Sequence, residues 1–485
     1  MPETLKDKTI KGLAWSFIDK FGSQAVYLVS GIIIARILTQ ADYGLTGMLA
    51  IFVALSNVLL DSGFGGALIK KRDAAQTDFN AVFYFNVVTA VILYILLFFA
   101  APLVARFYEE PQLVLLSRVL FLTILFNSLN LIQSVILTKT LRLGQLAKLN
   151  FTALLLSSIV AVILAIRGYG VWALVAQTVL LSAFKSLLFW LFNPWRPTWE
   201  FSMKPLKESF GFSSRMLLSG IINVIFNNIY TVIIGKGYNK VELGYYQLAN
   251  KYQDIPVSII SNTFRTVSLP VFANVNNDDE RLRRVLTKIN KSIGFVVFPV
   301  LLGIIVVAEP LLVGLVGDKW LPSVDIFRIL LVSGMFSVFT NVFGELFIAK
   351  GKSGIYLKLE IIKKIFLVVA IVCTYRYGVI GLAIGWAAYS FISMIISSWY
   401  AFRTIKYPVH LFYISIAPYL ILALIMAGVV YSFEYISMNE YLRMGIQIIT
   451  GALFYAGGCL VLKLEMTGEV FHLFGKGENR TNGSR

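Results

Sequence analysis

Hydrophobic and polar positions in this chain alternate on the scale of whole helices. About fourteen apolar stretches, each close to the roughly 20 residues that an α-helix needs to cross a bilayer, are separated by short polar connectors. They lie at residues 13–38, 44–69, 79–105, 113–138, 147–166, 171–192, 210–235, 243–272, 289–316, 325–349, 355–376, 379–401, 411–433 and 443–463. The pattern predicts an all-α polytopic membrane protein whose function resides in the helix bundle, because almost nothing is left over for a soluble domain.

Composition supports this class. Apolar residues make up 58% of the 485 residues and charged residues 14%, which is far from the balance of a soluble domain. Cys373 and Cys459 both lie in apolar runs, so the sequence offers no disulfide framework, redox pair or zinc site. We therefore expect a transporter that needs no cofactor and no metal.

Positive residues indicate the orientation in the membrane. Alternate connectors differ in their content of Lys and Arg, and positive residues are retained on the cytoplasmic side. The richer connectors hold Lys6, Lys8, Lys11, Lys70, Lys71, Arg72, Lys139, Arg142, Lys148, Arg196, Lys204, Lys207, Arg281, Arg283, Arg284, Lys288, Lys350, Lys352, Lys358, Arg403, Lys406, Lys476, Arg480 and Arg485. This predicts that both termini are cytoplasmic. The net charge of +17 is then mainly a topology signal, with attraction to anionic lipid as the alternative.

The chain also shows internal similarity. Residues 35–44 align with 235–244, an offset of 200, and residues 167–171 align with 375–379, an offset of 208. Six predicted spans separate each pair, so the halves keep the same orientation and are related by an axis along the membrane normal. We expect lobes at 1–200 (spans 1–6) and 201–405 (spans 7–12) in a pseudo-twofold arrangement, two further helices at 406–465 and a cytoplasmic tail at 466–485. Chance similarity between apolar hairpins is the alternative.

Three stretches resemble a known family of exporters. Residues 61–70 form an acidic, glycine-rich end of span 2, residues 244–251 are followed by Ile255 and Pro256, and residues 267–272 end span 8. These are similar to the polysaccharide branch of the superfamily that includes multidrug exporters of the MATE type and the lipid II flippase, above all to Wzx-type flippases. The resemblance implies movement of an undecaprenyl-pyrophosphate-linked oligosaccharide across the bacterial inner membrane, through a cationic cavity between two lobes.

Four cations inside the predicted spans are candidate substrate contacts. They are Arg118, Lys251, Arg215 and Arg265. A charge within a membrane helix commonly costs about 2.5–3.5 kcal/mol on insertion scales, so it usually faces the bundle interior or water. Each cation can bind a pyrophosphate through charge-assisted hydrogen bonds, and arginine can do so with two donors. The alternative is that these long side chains snorkel to the nearest headgroup layer.

Four acidic residues, which are too short to snorkel far, are candidates for ion coupling. They are Asp19, Asp61, Asp254 and Glu345. Asp254 lies deepest, about 15 Å from the start of span 8, and two residues before Pro256, which we expect to kink that helix. A carboxylate beside a kinked helix can bind a proton or sodium ion, so we expect Asp254 or Asp61 to couple transport to an ion gradient.

The alternative for the acidic residues is an internal ion pair. Asp254 can pair with Lys251 at a spacing of three residues, and Asp19 can pair with Arg215.

Other functions remain possible at this point. A MATE-like exporter of drugs or cations is disfavoured because the spans are rich in Arg and Lys, which suit anions. Lipid II flipping is harder to exclude. A membrane enzyme is disfavoured because the longest connector, 193–209, contains no cluster of carboxylates, and a structural scaffold is disfavoured by the charges within the spans. We expect a monomer, since a path between two lobes needs one chain.

Overall fold

The computed structural model describes residues 22–61, 64–71, 73–200 and 202–468, without the side chains of 205, 208, 209, 212, 215 and 353. Every regular element in these ranges is helical. The first eight helices are α1 (Gly22–Ile37), α2 (Gln40–Asp61), α3 (Phe64–Lys70), α4 (Gln76–Tyr108), α5 (Leu113–Leu120), α6 (Leu122–Lys139), α7 (Leu143–Ile166) and α8 (Val171–Phe192). They are followed by α9 (Lys204–Gly237), α10 (Lys240–Asn274), α11 (Asp279–Val306), α12 (Ala308–Val316), α13 (Ser323–Ala349), α14 (Ser353–Thr374), α15 (Gly378–Thr404), α16 (Val409–Ser432) and α17 (Glu440–Val461).

These helices confirm the predicted all-α membrane fold, with about fourteen hydrophobic segments. Three predicted spans are each built from two consecutive helices, namely α2 with α3, α5 with α6, and α11 with α12. Within the described ranges, eleven stretches are long and apolar enough to cross a membrane, and one of them, Gly354–Thr404, contains most of α14 and all of α15. Predicted span 1 is described only from Gly22 onward, as the 16 residues of α1.

Helix α10 is the predicted span that departs most from the apolar pattern. It is absent from the eleven apolar stretches within the described ranges, and it carries Lys240, Glu242, Lys251, Asp254 and Arg265. The helix runs continuously through Pro256 and Pro270, so it is not broken at Pro256. Because charged groups are unfavourable in hydrocarbon, a helix of this composition requires protein or water along its polar face.

The polar connector at 278–284 forms the N-cap and first turns of α11. Asp278 is its N-cap, and the Asp278 carboxylate accepts hydrogen bonds from the backbone N–H groups of Glu280 and Arg281, both at 3.0 Å. This satisfies donors that have no partner within the helix. The acidic first turn is also favourable next to the positive end of the helix dipole.

The chain divides into two compact units, residues 1–247 and 248–485. In the first, α3, α4 and α6 pack around a buried cluster that includes Phe64, Phe83 and Ile132. In the second, aromatic rings join α13, α15 and α16: the ring centroid of Phe412 lies 5.4 Å from that of Phe343 and 5.5 Å from that of Phe402.

The division between the units lies inside α10, whereas the predicted lobes divide at residue 200. Helix α9 belongs to the first unit because it packs along α2 and α4. The predicted lobes are defined by topology and repeat, so they stay a prediction.

Candidate functional site

An ion pair between α10 and α13 is the best-defined charged contact among the predicted site residues. The Nε of Arg265 donates to the Oε1 of Glu345 at 2.8 Å. The Glu345 side chain is 7% exposed, whereas that of Arg265 is 50% exposed. Glu345 binds only Nε, and the two terminal nitrogens of Arg265 form no hydrogen bond with any residue in the described ranges. The buried carboxylate therefore holds the guanidinium in place and leaves its outer edge available.

A second polar contact lies one helical turn away on the same two helices. The amide of Asn341 donates to the hydroxyl of Ser261 at 2.9 Å. Ser261 precedes Arg265 by four positions on α10, and Asn341 precedes Glu345 by four positions on α13. Each polar residue therefore lies on the same face of its helix as the charged one. The two contacts fix the register of α10 against α13 around Arg265.

A further ion pair, within α14, was not predicted from the sequence. Lys363 forms an ion pair with Glu360, and its side chain is 9% exposed. Glu360 also lies close enough to Tyr356 and Tyr389 to interact with them electrostatically. The available signal was a glutamate at the sixth position and lysines at the ninth and tenth positions of predicted span 355–376, because charges are rare inside spans.

The remaining residues predicted on α10 are not paired with each other. Asp254 is exposed, and it forms no ion pair or hydrogen bond with any residue in the described part of the chain. Lys251 is half-buried, three residues earlier on α10. The internal pair that we considered for Asp254 and Lys251 is therefore absent, and the carboxylate of Asp254 stays available for an ion.

The other predicted cations differ in their surroundings. The guanidinium carbon of Arg118 lies 4.2 Å from the ring centroid of Phe98, and its Nε donates to the Phe98 carbonyl at 3.3 Å. These contacts tie Arg118 to α4. Arg215 lies on α9, but its side chain is outside the described part of the structure, as is the whole of Asp19.

Two glycines bring the starts of α2 and α10 into close reciprocal contact within the first unit. A Cβ atom added to Gly44 would lie 1.8 Å from the carbonyl oxygen of Lys240, and one added to Gly244 would lie 2.0 Å from that of Gln40. Neither position therefore accepts a side chain without separating the helices. These are the aligned glycines of the internal similarity, so equivalent positions meet in space.

Two ion pairs close the same end of the first unit. Lys236 binds Glu109 at 2.7 Å, and Lys240 binds Glu110 at 2.9 Å. Both acidic residues follow the end of α4, and both lysines lie where α9 ends and α10 begins. The hydrogen bond and charge of Lys236 lower the pKa of Glu109. This pair is therefore formed at neutral pH and weakens only as pH falls through the lowered pKa.

Asp61 lines a polar cavity of about 520 Å³ in the first unit. Its walls come from α2, α3, α6, α7 and α8, and its polar residues are Asn57, Asp61, Asn127, Asn130, Ser134, Asn150 and Lys185. Asp61 was predicted from the sequence, whereas the other polar residues were missed. The asparagines are uncharged and are spread over three helices, and Lys185 was overlooked although it is a charge inside predicted span 6.

The family model described as "Polysaccharide biosynthesis protein" matches residues 33–325, which is more than half of the chain. The chain belongs to this family. The match covers the end of α1, α2 to α12 and the start of α13, so it includes Arg265, Asp61, Gly44 and Gly244.

Two relatives of this chain are named for the biosynthesis of teichuronic acid and of lipopolysaccharide. The chain is 28% identical to the teichuronic acid biosynthesis protein TuaB of Bacillus subtilis (strain 168), over 94% of this chain and 95% of the relative. It is 26% identical to the lipopolysaccharide biosynthesis protein WzxC of Escherichia coli (strain K12), over 81% of each chain. These relatives confirm the resemblance to Wzx-type flippases.

The fold also resembles a solved transporter structure. The lipid II flippase MurJ in an inward closed conformation superposes with a TM-score of 0.75, at 17% identity, covering 94% of this chain and 99% of that one. At this identity the similarity shows the fold alone. It confirms a multi-pass membrane architecture shared with flippases.

We predict that Arg265 and Glu345 stabilise the second unit as a coupled pair. Glu345→Gln should lower the free energy of unfolding by about 1–2 kcal/mol, since half-exposed Arg265 can regain water when its partner is lost. Thermal unfolding in detergent of both single variants and of Arg265→Met/Glu345→Gln gives the coupling energy. The matched control is Asp325→Asn on α13, which removes an exposed pair with Arg328 and should change stability little. Purely additive effects would contradict the pairing.

Proposed function

We propose that this protein translocates an undecaprenyl-pyrophosphate-linked oligosaccharide from the cytoplasmic to the outer leaflet of a bacterial inner membrane. It acts as a flippase and carries out no catalysis. Membership of the polysaccharide biosynthesis family supports this function, as do relatives named for the synthesis of teichuronic acid and lipopolysaccharide. A cell-surface polysaccharide built on a lipid carrier needs such a step, because a polar head does not cross hydrocarbon unaided.

The observation that carries the proposal is the orientation of Arg265. Its Nε is held by Glu345, which is nearly buried, and its outer edge is accessible. Two terminal N–H groups in this geometry can bind a pyrophosphate through paired hydrogen bonds. In this mechanism Arg265 contacts the substrate, and Glu345 positions the guanidinium of Arg265. Arg215, Arg118 and Lys251 are further proposed contacts, with Arg118 contributing least because Phe98 already holds it.

Transport requires that the two ends of the path open in turn. The contacts between Gly44 and Gly244, together with the pairs at Glu109 and Glu110, close the end that we predict to be outer. The pair of Lys236 with Glu109 has two exposed partners, and such a pair contributes little free energy to keeping this end closed. We propose that this end separates when the substrate is released.

We propose that an ion gradient drives the cycle through Asp254. Its carboxylate lies on a membrane helix and is exposed, and no side chain in the described ranges neutralises it. Protonation or sodium binding removes the cost of that charge in one state, which can bias the two conformations. Asp61, Asp19 and Glu345 are further candidates, although Glu345 already neutralises Arg265.

Lipid II flipping and cation export are the rival functions. Lipid II has the same undecaprenyl pyrophosphate, so Arg265 suits it equally, but the relatives are named for other polysaccharides. A cationic drug is not attracted by a guanidinium.

We further propose that the protein acts as a monomer with both termini in the cytoplasm.

Reconstitution tests this function most directly. The purified protein is placed in liposomes containing fluorescent undecaprenyl-pyrophosphate oligosaccharide, and the label reaching the opposite leaflet is measured with and without protein. We expect protein-dependent translocation that falls at least about tenfold in Arg215→Ala/Arg265→Ala, because each lost charge-assisted hydrogen bond weakens binding by roughly that factor. Arg328→Ala, a cation near the predicted outer end of α13, is the control and should transport normally.

Two results would overturn the assignment. Absence of translocation under every imposed ion gradient, together with efflux of a cationic dye, would assign the protein to multidrug export. Transport of lipid II in preference to other lipid-linked sugars would assign it to cell-wall precursor export.

The role of Asp254 is tested by Asp254→Asn in the same liposomes. The amide cannot take up a proton and binds sodium weakly, so transport should no longer respond to an imposed proton or sodium gradient. The comparison variant is Asp318→Asn, in the 3₁₀ helix Asp318–Trp320 outside the spans. If Asp254→Asn keeps the full response to the gradient, Asp254 has no part in coupling.

A further inference from the structure

The polar cavity around Asp61 is separate from the proposed substrate contact at Arg265 and from the proposed ion site at Asp254. It is formed entirely by helices of the first unit, and its volume of about 520 Å³ is within the range of small-molecule sites, about 300–1,000 Å³. Four carboxamides, one hydroxyl, one carboxylate and one ammonium group line it. Polar side chains within membrane helices are unfavourable unless they serve a purpose, so this concentration requires an explanation.

The cavity lies toward the helix ends that we predict to be cytoplasmic. Asp61 ends α2, about 31 Å from Gln40 at the opposite end of that helix. Asn150 is seven residues, about 10 Å, from the start of α7, and Lys185 is an equal distance from the end of α8. The site is therefore far from the contact between Gly44 and Gly244. It lies at the side from which a substrate made in the cytoplasm must enter.

Hydrogen bonds already organise part of the wall. The Nδ2 of Asn127 donates to the Oδ1 of Asn57 at 2.8 Å, and the Nδ2 of Asn130 donates to the carbonyl of Ser182 at 3.4 Å. These bonds hold carboxamides of α2 and α6 in fixed orientations. Asn130 is 8% exposed, yet its Oδ1 has no hydrogen-bond partner. A buried acceptor without a partner is costly, so a donor is expected beside it.

The mixture of groups decides which ligand suits the cavity. A metal cation requires oxygen ligands, and the ammonium of Lys185 on the wall would repel it. A phosphate would be repelled by Asp61. A sugar hydroxyl both donates and accepts, which matches carboxamides that present one oxygen and two N–H donors each. The single carboxylate can accept from a hydroxyl, and the single ammonium can donate to one.

We propose that this cavity binds one or two sugar residues of the lipid-linked oligosaccharide before translocation. The inference rests on the proposed flippase function and extends it, because it assigns sugar recognition to α2, α6, α7 and α8, apart from the cationic contact at Arg265. A recognised head group is then a condition for transport. The role of Asp61 becomes acceptance of a hydrogen bond from a hydroxyl rather than ion binding.

Binding to a panel of carriers tests the inference. Undecaprenyl pyrophosphate is compared, by thermophoresis of the purified protein in detergent, with the same carrier bearing glucose, galactose, an N-acetylhexosamine or a uronic acid. We expect at least one glycosylated carrier to bind about tenfold more tightly than the bare carrier. Asn130→Leu and Asn150→Leu, on two different helices, should each remove most of that preference while leaving the affinity for the bare carrier unchanged.

Two further variants separate a sugar site from other roles. Gln177→Leu on α8 removes a polar side chain that binds Ser158 at 3.3 Å and does not line the cavity, so the sugar preference should remain. Asp61→Asn keeps an acceptor for a hydroxyl but removes the charge that a cation needs. We expect it to retain part of the sugar preference, and its response to ion gradients distinguishes hydroxyl binding from the ion-coupling role considered above.

Several results would overturn the inference. These are equal affinity of the wild-type protein for all carriers, or an unchanged sugar preference in folded Asn130→Leu and Asn150→Leu. Loss of the response to ion gradients in Asp61→Asn, with sugar preference intact, would make the cavity an ion site. Failure of every carrier to bind, the bare one included, would instead count against the proposed flippase function itself.

Discussion

Hydrocarbon offers no hydrogen bonds, and this constraint determines both the fold and the position of its charges. The backbone must satisfy itself, so the described chain is built from helices. Charged side chains must find partners or water, which explains why Glu345 is buried against Arg265 and why Lys363 is buried against Glu360. Each such group is stable only in a protein-lined or solvated environment. A flippase needs that environment for a polar head group.

The contact between Gly44 and Gly244 links the internal similarity of the chain to transport. At one end of the first unit, Gly44 lies against the carbonyl of Lys240, and its equivalent Gly244, 200 residues later, lies against the carbonyl of Gln40. Glycine permits this close approach because it has no Cβ. The pair of Lys236 with Glu109 at this end is exposed, so it adds little to the free energy that keeps the end closed. Within the first unit, the polar cavity around Asp61 lies toward the end opposite to these glycines.

Hydropathy alone predicted the helical architecture, because the length of a span is fixed by bilayer thickness. The family resemblance rested on motifs such as residues 61–70, and the family match confirms it. The pairing of Arg265 with Glu345 was not predictable, since the residues are 80 positions apart and charge pattern gives no tertiary contact. Helix α10 continues through Pro256, and the kink expected there stays a prediction. The cavity was missed because its asparagines are uncharged and lie on three helices, so that only tertiary packing brings them together.

Reversible opening of the end near Gly44 is the central claim, and cross-linking tests it most directly. Cysteines replace Glu109 and Lys236, whose side chains meet at 2.7 Å, in a Cys373→Ala/Cys459→Ala background, and a short reducible bis-thiosulfonate reagent links them. Translocation in liposomes is measured before linking, after linking and after reduction. The account predicts transport before linking, loss of transport in the linked protein and recovery on reduction. Transport by the linked protein at the rate of the reduced protein would contradict it.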